Sequence, residues 1–191
     1  HYCSRRQRQM CIRDSLGTVI IDGDTPDVTA VAATDGTYKI GDTISITLTF
    51  DEQVDVTGTP QITLSNNDVV DYSSGTGSAN IVFVYTVGSG DTDSADLSVS
   101  SIAANGGSIQ DDADNNFATA IASGDLGSVV VDANVPALSS VAAADAAYGV
   151  GEAISITVTW GETVQVSGTP TITLSNNDVA TYASGTGSAA L

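Results

Sequence analysis

The chemistry open to this sequence begins with its aspartates. Asp22 and Asp24 come first, Asp51 and Glu52 follow, and Asp111, Asp112, Asp114 and Asn116 crowd into the run DDADNN. Carboxylates and carboxamides at such spacing are hard oxygen donors, and calcium takes about six to eight of them. Four or five carboxylates with no Lys or Arg nearby repel one another unless a cation sits among them. Beyond residue 15 the only base is Lys39, set against the 22 acids that remain once Asp14 is left aside. The missing chemistry is equally informative. Residues 16–191 contain no His and no Cys, so neither a Ser/His nor a Cys/His nucleophile pair can be assembled. There is no HExxH and no phosphate-cradling Gly-rich loop leading into a helix. A carboxylate pair alone can hydrolyse glycosides, but a small sandwich offers it no deep cleft or aromatic platform. The expectation is a protein that is not an enzyme.

The whole chain of 191 residues carries a formal charge of -18. Phosphate backbones and anionic lipid surfaces repel such a chain, which excludes nucleic acid as a partner and polybasic membrane binding. No apolar run approaches the ~20 residues of a membrane span, so direct insertion is not expected. At 41% hydrophobic residues the chain can form a core, unlike a disordered acidic tail. The composition is uneven. Residues 1–15 hold four of the five bases, both cysteines, the only His and the only Met. Their stretch QRQMCIRDS resembles translated sequencing-adapter text, and no apolar h-region follows the arginines as a signal peptide requires. They are expected to be an artefactual or disordered leader outside the fold.

Stepping along the remainder, GTPQITLSNNDV (58–69) returns as GTPTITLSNNDV (168–179), a shift of 110 residues. Without gaps, that shift matches 32 of the 51 positions from Val31–Ile81 to Val141–Leu191. It also pairs LGTVIIDGDTP (16–26) with LGSVVVDANVP (126–136) and fails before Leu16, where the adapter-like text ends. The expected organisation is the end of a preceding repeat (16–21), a complete repeat (22–131) and a truncated second repeat (132–191). A unit of 110 residues is a normal domain size, able to bury its own core.

The elements that must position the acids read as strands. TISITLTF (43–50) alternates Ile44, Ile46, Leu48 and Phe50 with Thr and Ser, the period of a half-buried strand, and AISITVTW (153–160) repeats it. ANIVFVYTV (79–87) is long and β-branched and is expected to be a central strand buried on both faces. SNND, at 65–68 and 175–178, reads as a tight hairpin turn. Tyr38, Tyr72 and Tyr148 are expected at the core or an edge. No helical periodicity is evident. About seven short strands per repeat favour an all-β fold of tandem immunoglobulin-like Greek-key β-sandwiches, the second truncated.

In such a sandwich alternate loops meet at one end. That end would gather Asp22 and Asp24, a loop carrying Asp51 and Glu52, and the 111–116 loop. The expected Ca2+ ligands are Asp22, Asp24, Glu52, Asp112, Asp114 and Asn116, with Asp132, Asn134 and Glu162 repeating the arrangement in the second unit. Asp91, Asp93 and Asp96 fall at the opposite pole, where Asp91 or Asp93 is expected to complete a junction site with Asp132. The competing expectation is that these acids are turn residues of a salt-adapted surface.

The ordered motifs resemble a known group. They are Y-x-x-G-D-x-I-x-I-x-x-x-F-x-E-x-V from Tyr38, V-x-G-T-P-x-I-T-L from Val56, Y-x-S-G-x-G from Tyr72, Y-T-V-x-x-G-D from Tyr85, NGG-x-I-x-D from Asn105 and V-V-D-x-x-x-P from Val130. Together, over residues 16–191, they are similar to the bacterial Ig-like, cadherin-like tandem repeats of large secreted or cell-surface adhesins. The resemblance implies non-catalytic spacers, often calcium-bound, on the bacterial surface or outside the cell. Their partners are neighbouring repeats, with a cell-surface glycan or protein bound through other domains. D-A-N-x-P (132–136) is similar to the cadherin linker acids that calcium stiffens. One departure is the family's D-A-A-G-N loop, here Asp112–Asn116 with Asn115 in the glycine position, a residue that tolerates positive φ. The alternative function is a carbohydrate- or protein-binding Ig-like module. A second unit without its closing strands should expose Ile154–Trp160 and Thr169–Leu174 as open edges.

Overall fold

A computed structural model of the chain describes residues 22–121 and 123–191. The expected leader and preceding-repeat tail lie outside the described residues. All regular structure among the described residues is β, and no helix there is long and apolar enough to cross a membrane. The chain divides into two units, His1–Ala133 and Asn134–Leu191.

In the first unit the strands are β1 (Val28–Ala32), β2 (Gly36–Lys39), β3 (Thr43–Thr57), β4 (Gln61–Leu64), β5 (Val69–Ser74), β6 (Ser78–Thr86), β7 (Val99–Ala103), β8 (Ser108–Gln110) and β9 (Val129–Asp132). The main sheet runs β1-β3-β6-β5-β4-β7, with β8 paired to the far end of β3, while β2 and β9 pair in parallel. The organising strand is β3. Ile44, Ile46, Leu48, Phe50 and Val54 share one parity and are all buried, because successive side chains of a strand point to opposite faces. β6 lies antiparallel beside it, from Thr43 opposite Thr86 to Thr49 opposite Asn80.

Two expectations are corrected here. Asp51 and Glu52 are not in a loop: β3 runs through them without a break, and the Asp51 N–H donates to the Asp27 carbonyl at 3.0 Å. Instead the β3–β6 register is irregular between Thr49 and Val54. Such an irregularity bends a strand without ending it, and Asp55–Thr57 then pair with β8. Nor is β6 buried on both faces. Ile81, Phe83 and Tyr85 are buried, but Val84, between them, is 44% exposed. A central place in the sheet supplies two hydrogen-bonded neighbours, not a second covered face.

SNND does form the β4–β5 hairpin turn. The Asn67 N–H donates to the Leu64 carbonyl at 3.0 Å and the Leu64 N–H to the Asp68 carbonyl at 2.8 Å, with Asn67 at φ 72°. Asparagine tolerates that left-handed conformation because its short polar side chain bonds locally.

The second unit contains β10 (Leu138–Ala143), β11 (Ile156–Val164), β12 (Thr171–Thr173), β13 (Val179–Thr181) and β14 (Ser188–Ala190). Its pairings repeat those of the first unit at the 110-residue shift. Leu138 faces Trp160 as Val28 faces Phe50, with the same bulge after it. Thr159 faces Ala190 as Thr49 faces Asn80, and Val164 faces Ser188 as Val54 faces Ser78. Ile172 faces Ala180 as Ile62 faces Val70.

Candidate metal site at the acidic end of the first unit

Three carboxylates, from Asp22, Glu52 and Asp111, come together in the first unit, each offering an oxygen within 4.8 Å of the other two. They arrive from three separate stretches of chain. Asp22 precedes β1 and is exposed. Glu52 sits in β3 at the parity of Phe50 and Val54, so the strand that buries those residues turns the Glu52 side chain toward the same face at its rim. Asp111 follows β8 at the parity of the buried Ile109 and is itself buried.

The loop after β8 is built around Asp111. Its Oδ1 accepts from the N–H groups of Ala113 and Asn115, both at 2.8 Å, and its Oδ2 from the Asn115 Nδ2 at 2.8 Å. The Asp111 N–H donates to the Asn115 carbonyl at 3.1 Å, closing the loop on itself. Beyond it, Phe117 packs edge-on against Phe50 with ring centroids 5.2 Å apart. Since Phe50 is two residues from Glu52 on β3, this aromatic contact also sets the approach of the two acids. The Asn115 side chain reaches the Asp22 carbonyl at 3.5 Å, and the Asp24 N–H donates to Asp22 Oδ1 at 3.2 Å.

The acids differ in charge behaviour. Burial pushes the Glu52 carboxyl up, and the negative charges of Asp111, Asp22, Asp51 and Asp24 push it further. Burial acts on Asp111 in the same direction, but the hydrogen bonds from Asn115 and Ala113 outweigh it and hold that carboxyl below its usual range. Asp111 is thus a stably ionised centre, and Glu52 bears the repulsion.

Three carboxylates offer three of the about six to eight oxygens that a calcium ion takes. Oxygens at about 2.3–2.6 Å from one ion lie no more than roughly 5 Å apart, and this trio meets that limit. A carboxylate has about four lone-pair positions; Asp111 uses three of them on its own loop.

Several expected ligands stand elsewhere. Asp112 accepts from the Gln53 Nε2 at 3.3 Å. Asp114 contributes its backbone carbonyl to Gln110 and, rather than Asn115, carries the loop's positive φ, 66°. Asn116 bridges Gln110 through its backbone. Asp24, Asp112, Asp114 and Asn116 are not in the trio, although Asp24 is near enough for its charge to raise the Glu52 carboxyl. Asp132 belongs to β9 opposite Lys39, in the first unit, whereas Asn134 and Glu162 belong to the second. Among the described residues the Asp22 trio is the one such cluster.

At the other pole, Asp91 Oδ2 accepts from the Gly88 N–H and lies 2.6 Å from the Tyr85 hydroxyl, while Asp93 Oδ1 accepts from the Ala133 N–H at 2.8 Å. These contacts lie within the first unit. The Tyr85 hydroxyl also lies 2.6 Å from Asp68 Oδ2 and accepts from the buried Asn66 at 3.1 Å. Burial, then the two carboxylates, makes Tyr85 hold its proton more tightly than a free tyrosine. The sequence did not suggest this cluster; its one local sign is SNND, whose Asn–Asp bond recurs as Asn176 to Asp178 at 2.6 Å. Tyr38 and Tyr72 are half-buried against the core, whereas Tyr148 is exposed. Tyr72 packs edge-on to Phe83 and accepts from the Thr76 N–H, and Tyr38 donates to the Thr34 carbonyl.

No protein-family model, curated protein or solved structure matches this chain.

Proposed function

We propose that this chain belongs to a tandem array of immunoglobulin-like Greek-key β-sandwiches, acting as a non-catalytic extender of a bacterial surface or secreted adhesin. Calcium stiffens the end at which the chain enters each repeat. The observation that carries the proposal is the agreement of the two units, rung for rung and bulge for bulge, at a 110-residue shift. An array of rigid lengths is made by repeating one module. The Asp22, Glu52 and Asp111 trio supports the calcium part.

In this mechanism Asp111 is the preorganised ligand, Glu52 is delivered by β3, and Asp22 is the first acid of the repeat. An ion held by all three ties the incoming chain to the body of the unit. An ion that binds only the folded state stabilises it by mass action, by about 2.7 kcal/mol at a hundred times its Kd.

A thermal melt of the full chain in EDTA, then in millimolar calcium, with magnesium as control, tests this. The expected result is a calcium-only rise of about 10 °C in the transition of the first unit. Glu52→Ala and Asp22→Ala should each abolish it. An unchanged melting temperature in calcium would overturn the metal site and leave the acids as surface charge.

A further inference from the structure

We infer that Asn105 is a self-modification site, at which the chain converts its own asparagine into aspartate and iso-aspartate through a cyclic imide. Asn105-Gly106 is the only Asn-Gly pair in the sequence, and every other asparagine precedes a residue that has a Cβ. The pair stands in the turn between β7 and β8, and both residues are exposed. Asn105 and Gly106 take φ 49° and 79°, and the Gly107 N–H donates to the Ala104 carbonyl at 2.8 Å, closing the two-residue turn that Asn-Gly favours. Gly106 has no side chain to shield its nitrogen, and a Cβ built there would meet nothing within 4 Å, so its surroundings are open as well. Among the described residues nothing accepts from the Gly106 N–H. The nucleophile and the carbon it attacks are thus neighbours on an unshielded turn.

In the reaction the Gly106 nitrogen bonds to the Asn105 Cγ, the bond from Cγ to Nδ2 breaks, and the Gly106 proton leaves with Nδ2 as ammonia. Water then adds to one of the two carbonyls of the imide ring and reopens it. Opening at Cγ gives aspartate; opening at the main-chain carbonyl gives iso-aspartate, with Gly106 joined through Cγ. One water enters, one ammonia departs, and nothing is oxidised or reduced. Either product disturbs what Asn105 holds. Its Nδ2 donates to the Thr59 carbonyl at 3.2 Å, tying this turn to the chain between β3 and β4. A carboxylate has no proton to give that carbonyl and repels it. Iso-aspartate also adds a carbon to the main chain where two turns pack without slack. A Cβ at Gly107 would collide with the Thr57 carbonyl oxygen, and one at Gly58 would meet the Gly107 Cα at 2.8 Å. The inference uses neither the repeat nor calcium.

The test stores the full chain in mildly alkaline buffer, which favours loss of the Gly106 proton, and follows it by peptide mass spectrometry. The expected result is a steady gain of about 1 Da in the peptide that holds Asn105, with iso-aspartate among the products. In water enriched in heavy oxygen, the same peptide should take up a heavy oxygen atom. Gly106→Ala should slow the change at least about tenfold, because the added Cβ hinders attack whether or not alanine at that positive φ loosens the turn. Asn105→Asp gives a second reading: it should melt below wild type before any storage, having lost the bond to Thr59, and should itself accumulate iso-aspartate. No mass gain at Asn105, a gain that yields aspartate alone, or an undiminished rate in Gly106→Ala would overturn the inference.

Discussion

The two units share most of their sequence over 51 aligned positions, yet they differ in what the same residues do. ISIT at 44–47 lies within a 15-residue strand with its isoleucines fully buried. ISIT at 154–157 forms a strand only from Ile156, and Ile154 is half exposed. Val28 is 9% exposed and its counterpart Leu138 58%. The rungs of the second unit join 138–143 to 156–160, 159–164 to 188–190 and 171–173 to 179–181. Gly36–Lys39 is a strand paired with β9, whereas 146–149 is not a strand. Strand formation here is a property of the pairing rather than of the local residues, as expected where β-propensity chiefly measures fit to a neighbour.

The largest contrast should come from core truncation. Ile46→Ala is expected to cost the first unit about 3–4 kcal/mol, and Ile156→Ala under about 1 kcal/mol in the second, because only the first leaves a sealed cavity. Denaturant unfolding with probes in each unit checks this, and equal losses would break the comparison. Gly75 and Gly185 sharpen it. Both adopt positive φ, near 113° and 115°, and a Cβ at either would meet a backbone carbon at 2.8 Å. Alanine at Gly75 should cost about 2 kcal/mol or more, and at Gly185 distinctly less, since fewer neighbours hold that turn in place. Thermal melts of the two variants give the difference.

The smallest effect is electrostatic. Glu52 titrates above its ordinary range, so without cation its stabilising contribution is complete below the unfolded value and disappears as pH rises through the folded one. In EDTA, the first unit of wild type should lose stability across that interval, and Glu52→Gln should not. Denaturation midpoints measured from pH 4 to 7 report this; parallel curves would remove the strain assigned to the trio.

Much of this was legible along the chain. The repeat, the alternation in β3 and the SNND hairpin are local signals, and each has its counterpart in the structure. Parity carries a further signal, which the expected ligand set missed by taking Asp112 and leaving out Asp111. Glu52 continues the inward series Ile44, Ile46, Leu48, Phe50, and Asp111 continues Ile109, which separates Asp111 from its equally acidic neighbour Asp112. That signal was obscured because Asp51–Glu52 reads as turn text, although Val54 and Val56 carry the strand onward. The Tyr85, Asp68 and Asp91 cluster was not legible. It joins three segments through hydrogen bonds, and no period in the sequence records such a meeting.

The site divides the units as sharply as the core does. Glu162 holds the place of Glu52, and the one trio of acids among the described residues lies in the first unit. Hydrogen exchange on the full chain, in EDTA and then in calcium, reads both halves of the account at once. Calcium should slow exchange at 51–54 and 111–117 while leaving 161–164 unchanged. No change at 111–117, or equal slowing at 51–54 and 161–164, would contradict a calcium site made by Asp22, Glu52 and Asp111.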